Sequence, residues 1–264
     1  MEALANLPQE IDHLVSEFFA PAMYGNEIFG LTQYIFWMLV AVVLLLIIIF
    51  AAKKRMSLVP KGRFVNAIEF AVEFVRNDVV MATIGPKGAR HVPFLLSLFF
   101  FIAICNIVGI IPGCKPGTGT IGVTAALATV SFVYFIRVSI KNLGVAGYIK
   151  SLAPKGVVTP LAVFVGILEA FSTFIRLVSL AIRLFANMFA GHVVMGTFAL
   201  MTSLCFMPMI MNFTMGTLAG ALPSIVWMVI LILIYAIEMA VAVIQAYVFT
   251  ILSTVYIQLA ESEH

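Results

Sequence analysis

Five ionisable side chains, Glu169, Arg176, Arg183, His192 and Glu238, and two amides, Asn187 and Gln245, lie inside the two longest apolar stretches of the chain. An ionised group at the centre of a bilayer costs about 2.5–3.5 kcal/mol on insertion scales, so such residues face a protein interior or a water-filled path. Glu169, Arg176 and Arg183 are spaced by seven and fall within about 40° of one helix face. Asn187 follows one turn beyond Arg183 on much the same face, whereas His192, nine residues from Arg183, points about 180° away on a straight helix. Glu238 and Gln245 are likewise seven apart. Arginine does not deprotonate, so Arg183 cannot pass a proton; it can keep a carboxylate ionised and repel a mobile cation. Glu238 and His192 can each take up and release one, which suits them to line a proton path. A fixed cation among titratable groups points to proton passage beside a barrier that protons cannot jump.

Plainer roles stand beside these. Arg176 can reach toward the cytoplasmic interface as a snorkelling side chain, and Glu169 can pair with it structurally. Asn187 and Gln245 can serve as interhelical hydrogen-bond partners, and His192 as a satisfied packing histidine. Arg183 has the weakest such alternative, because nothing near it in sequence pairs with it and no aqueous end is close. The methionine-rich stretch 201–215 reads as packing.

The elements that position these residues follow from composition. Of 264 residues, 63% are hydrophobic and 10% charged, with a mean hydropathy of +1.14. A soluble domain carries roughly 25% charged residues. A soluble enzyme, a nucleic-acid-binding protein and a disordered chain are therefore excluded. The apolar stretches are long runs rather than alternating ten-residue segments, which favours helices over a barrel. The expected fold is an all-α polytopic membrane protein, a single membrane domain with about five crossings and one interfacial amphipathic helix. Cys105, Cys114 and Cys205 lie far apart, without metal-ligand spacing.

The first 30 residues hold five acids and no lysine or arginine, which reads as an acidic external N-terminus (1–32) and not as a signal peptide. Residues 33–52 form the first span and stop at Lys53, Lys54 and Arg55. Five cations after that span, against none before it, place the N-terminus outside and this loop in the cytoplasm. Over 61–81, Phe64, Ile68, Val72, Val75 and Val79 recur at helical spacing among Lys61, Glu69, Glu73, Arg76 and Asp78, which predicts an amphipathic helix at the interface. Spans at 93–111 and 121–136 follow, separated by the breaker-rich 112–119, and the cations Arg137, Lys141, Lys150 and Lys155 mark the next cytoplasmic loop.

Two long apolar stretches remain, 158–207 and 222–259, with Pro208 and 216–223 between them. The second would run roughly 57 Å as one helix, against about 30 Å of hydrocarbon. Ordinary tilt, about 20°, is too small to absorb the excess. The helices are therefore strongly inclined or broken; Gly191, Gly196 and Pro208 permit breaks in the first, while the second favours one steep helix. Five crossings put the C-terminus in the cytoplasm.

The segment Ser179-Leu-Ala-Ile-Arg-Leu-Phe-Ala-Asn-Met-Phe-Ala-Gly-His192 closely resembles the signature of subunit a of F-type ATP synthases. The run Ile244-Gln-Ala-Tyr-Val-Phe-Thr-Ile-Leu-Ser-Thr-Val-Tyr256 is similar to that family's last helix, and the acidic N-terminus, interfacial helix and Gly109–Gly113 region fit as well. The resemblance implies that Arg183 is the stator arginine, facing the ion-carrying carboxylate of a rotating c-ring and separating two offset half-channels. It implies that Asn187, His192, Glu238 and Gln245 serve the half-channel from the outside or the arginine contact. Glu169, with Ser172 and Arg176 alongside, would serve the cytoplasmic one. Many family members carry an acid where His192 lies and a histidine where Glu238 lies; others share the present arrangement.

It further implies that the two long helices lie tilted along the c-ring (oligomeric subunit c), that peripheral-stalk subunit b and the other ATP synthase subunits are partners, and that nucleotide chemistry and any cofactor belong elsewhere. The expected location is a bacterial plasma (inner) membrane, with the proton as the translocated ion. A secondary transporter would show internal repeats, and a passive channel pore-lining rings in a symmetric oligomer. A scaffold with purely structural charges is the third alternative.

Overall fold

A bilayer leaves no water to satisfy backbone amides, so each apolar run must close its hydrogen bonds as a helix. A computed structural model describes residues 32–55, 62–151, 159–211 and 213–262, and among them every regular element is helical. The acidic N-terminal segment, Lys61, Lys155 and the last two residues lie outside the described residues. The elements are α1 (Gln33–Arg55), α2 (Arg63–Glu73), α3 (Val92–Ile110), α4 (Ile121–Ser151), α5 (Thr159–Met211) and α6 (Met215–Ser262). Five helical stretches are long and apolar enough to cross a membrane: Gln33–Lys54, Pro86–Ile110, Ile121–Val145, Phe164–Met211 and Gly220–Glu261.

The amphipathic segment is more elaborate than its spacing predicts. Helix α2 widens into a π-helical stretch, Phe74–Met81, and then a last α-turn, Ala82–Ile84. Widening to i→i+5 bonding brings Val75, Val79 and Val80 onto one fully buried face while Arg76, Asn77 and Asp78 stay exposed. Phe64, expected on the apolar face, is exposed instead.

Helix α4 runs past Arg137 and Lys141, where the charge pattern alone would end it. It breaks at Gly144, whose φ of 73° suits a residue without a side chain. The two long helices are separated at a different place from the expected breakers. Pro208 lies in the last turn of α5, and Pro223 lies inside α6. The chain turns instead at Thr214 and Thr217. Each hydroxyl there accepts from the other residue's backbone N–H, at 3.3 and 2.9 Å, a reciprocal cap of the kind that starts helices. Pro223 is tolerated with a side-chain donor close by: Ser224 Oγ donates to the Ala221 carbonyl at 2.6 Å.

Both helices pass Gly191, Gly196 and these prolines unbroken, so inclination resolves the length problem. The 42 residues of Gly220–Glu261 span roughly 63 Å and fit about 30 Å of hydrocarbon only when tilted by roughly 60°.

The core sits where α3, α4, α5 and α6 meet around Leu95, Ile102, Ala128, Leu184 and Phe249, with Val75 and Val80 closing one end. Helix α1 is peripheral, holding on to α3 through Ala41 against Ile104, Cys105 and Val108. Its other face presents Phe36, Val43, Ile47 and Phe50 outward, as a lipid-facing helix does.

Candidate functional site: two polar assemblies flanking an exposed arginine

Helix α5 carries Glu169, Ser172, Arg176, Arg183, Asn187 and His192, and α6 carries Glu238 and Gln245; these two helices pack extensively against each other. Along α5 the buried side chains Leu180, Leu184 and Met188 mark the face turned to the core. Arg183 lies on an exposed strip about 100° round the helix from Leu184. It is exposed, and among the described residues it has no hydrogen-bond or ion-pair partner. Its neighbours on that strip are Ser179, Ala186 and Ala190, all exposed and small. Another helix can therefore approach the guanidinium closely.

Nine residues beyond Arg183, roughly 14 Å along the helix, α5 meets α3 and α6 in a first polar assembly. His192 Nδ1 lies 2.9 Å from the Met188 carbonyl oxygen and Nε2 lies 2.8 Å from that of Gly109 on α3. Carbonyl oxygens only accept, so the doubly protonated ring donates to both while a neutral ring donates to one. The Glu238 carboxylate packs directly over the Cα of Gly191, so closely that a β-carbon there would overlap it. A glycine thus seats Glu238 against the turn of α5 that carries His192. Asn187 Nδ2 and Gln245 Nε2 are buried donors without a hydrogen-bond acceptor.

Asn106, fully buried on α3, ties this region together: it accepts from Thr118 Oγ1 at 2.6 Å and donates through Nδ2 to the Ala242 carbonyl at 3.3 Å. Spacing on α5 and α6 overlooks Asn106, although an amide in the otherwise apolar 93–111 span is a signal that sequence alone carries. The Gly109 carbonyl has no such signal.

Fourteen residues on the other side of Arg183, roughly 21 Å along α5, Glu169 and Arg176 form a second assembly. Arg176 Nη2 lies 3.4 Å from Glu169 Oε1, both side chains being partly exposed, and Thr173 Oγ1 donates to the Glu169 carbonyl at 2.8 Å. They border a cavity of about 150 Å³ walled by α4, α5 and α6, which also receives Ser131, Ser139 and Tyr256. Ser131 Oγ donates to Ser253 Oγ at 2.8 Å, closing α4 onto α6 behind it. Ser172, half-buried, is not among the residues lining this cavity. The structure thus joins Glu169 to Arg176, and Glu238 to the His192 turn; Arg183 hydrogen-bonds to neither group, and its charge reaches Tyr256 at the edge of the cavity.

The family described as ATP synthase A chain matches residues 35–258, most of the chain. The chain belongs to that family. Among its relatives, ATP synthase subunit a of Rhodopseudomonas palustris is 35% identical over 92% of this chain and 93% of its own length. Subunit a of Chlorobium phaeobacteroides is 39% identical over 86% of this chain, and that of Frankia alni 37% identical over 80%. The chain spans 63% of the Chlorobium protein's length and 71% of the Frankia protein's. The matched residues run from α1 to residue 258 of α6 and so include Glu169, Arg176, Arg183, His192 and Glu238.

Proposed function

We propose that this chain is the non-catalytic, ion-translocating subunit a of a rotary ATP synthase, with Arg183 as its stator arginine between two proton half-channels. The observation that carries the reading is the placement of Arg183: an exposed guanidinium flanked by small residues, with no hydrogen-bond or ion-pair partner among the described residues and with polar assemblies on either side along α5. Such a cation costs a few kcal/mol in lipid and calls for an anionic partner outside the chain. A carboxylate on each subunit of a rotating c-ring is that partner.

A proton from the outside passes the Glu238, His192, Asn187 and Gln245 region and neutralises a rotor carboxylate. Neutral, the carboxylate enters lipid at much lower cost. After nearly a full turn it meets the cavity beside Glu169 and Arg176 on the cytoplasmic side. There Arg183 favours its ionisation, and the proton leaves. Arg183 itself carries no proton and bars a direct path between the assemblies. The transmembrane potential supplies about 2.3 kcal/mol per charge per 100 mV. The titratable pair Glu238 and His192 suits protons. Subunit b and the remaining ATP synthase subunits complete the complex in a bacterial plasma membrane, with the N-terminus outside and the C-terminus cytoplasmic.

The test is Arg183→Ala in the assembled complex reconstituted into vesicles. ATP-driven proton pumping should disappear while all subunits remain in their normal ratio. Normal coupled pumping by that variant overturns the stator role.

A further inference from the structure

Near the charged end of α1, an apolar wedge lies between α1, α2 and α3. At the other end α1 and α3 are in contact through Ala41, Ile104, Cys105 and Val108. The amphipathic helix α2 closes the third side, so the wedge is walled by Ile48 and Ile49 of α1, Ile68 and Val72 of α2, and Phe100 of α3. Its interior contains no polar group in want of a partner: the Ser97 hydroxyl in its wall donates to the Pro93 carbonyl at 2.8 Å. Lys53 stands in the wall at the mouth. Lys54, exposed, follows it, and Arg63, also exposed, opens α2.

We propose that this wedge is a binding site for an anionic phospholipid, with one acyl chain between the three helices and the phosphate at Lys53 and Lys54. The lining decides what kind of molecule enters. The wedge holds about 300 Å³ and is apolar on all three helical walls, as an acyl chain requires. Charge decides the headgroup. Cations at the cytoplasmic rim of an apolar groove between membrane helices select acidic lipids, and each contributes about fivefold in affinity. The site lies on the helices farthest from Arg183 in sequence and does not depend on the proposed half-channels.

The experiment uses the assembled complex in vesicles doped with phosphatidylglycerol or phosphatidylcholine, each carrying a photoactivatable group on one acyl chain. Cross-linked residues are mapped by mass spectrometry. The glycerol lipid should label residues 45–53, 68–72 and 96–100 at least about fivefold more than the choline lipid. Lys53→Gln with Lys54→Gln should bring the ratio toward one, while labelling at Val133, an exposed site on α4, stays indifferent to headgroup throughout. Equal labelling of the wedge by both lipids overturns the proposal. Labelling that appears on the isolated chain but vanishes in the complex does so too, because a protein then covers the wedge.

Discussion

The contact between Gly191 and Glu238 makes a side chain's position depend on the absence of another. Because the Glu238 carboxylate rests on the Gly191 Cα, Gly191→Ala leaves the helix intact and pushes the carboxylate off its seat on this turn of α5. A displacement of about 1 Å can cost a positioned group up to about 100-fold in rate. The expected outcome is an assembled complex with much slower proton transport, measured by acidification of vesicles at fixed ATP; an unaltered rate removes the contact from the mechanism. Glu238→Gln keeps the volume and removes the titratable group. It should slow proton uptake from the outside on the order of 100-fold, the lower end of what a positioned proton-transfer group contributes, with rotor binding unchanged. Flux identical to the parent over a range of pH argues against a channel role for Glu238. At this scale the sequence reveals which residues are out of place in an apolar helix, since cost in lipid depends on residue type alone. It does not reveal that Arg183 faces outward, or that a backbone carbonyl on α3 receives His192, because those depend on helices more than 70 residues apart.

Elements are legible where hydrophobicity or charge sets them and illegible where a tertiary contact does. The spans near 33–52 and 93–111 follow from the apolar runs and their basic flanks. The turn between α5 and α6 does not, because a threonine pair, rather than the nearby prolines and glycines, caps the start of α6. The end of α6 is a sharper case. Glu261, in sequence an ordinary polar tail residue, has only 6% of its side chain exposed and accepts from His91 Nε2 at 2.8 Å and Arg90 Nε at 3.1 Å. His91, 4% exposed, reaches Tyr134 Oη through Nδ1 at 2.8 Å, and that ring stacks on Phe94. One carboxylate therefore fastens the last turn of α6 to the 3₁₀ turn Pro86–His91 and to α4. Glu261→Ala would leave the buried His91 Nε2 without its acceptor, a loss of about 1–3 kcal/mol. Amide exchange over residues 250–262 should speed up by roughly tenfold to 100-fold. Unchanged exchange would mean that apolar packing around Ile257 suffices to hold the helix end.

For the molecule as a whole, what matters is how far apart its two polar assemblies lie. Roughly 35 Å of α5 separates Glu169 from His192, with the buried Leu180, Leu184 and Met188 along the face between them. In the proposed mechanism a proton that enters one assembly is carried around to the other by a partner. That topology predicts opposite sidedness. With Cys105, Cys114 and Cys205 replaced by serine, Ser139→Cys in the cavity should react with a membrane-impermeant thiol reagent only from the cytoplasmic side. His192→Cys should react only from the outside. Reaction of both from one side would mean a single continuous pore, the arrangement of a passive channel, and the rotor would no longer be needed to complete the path.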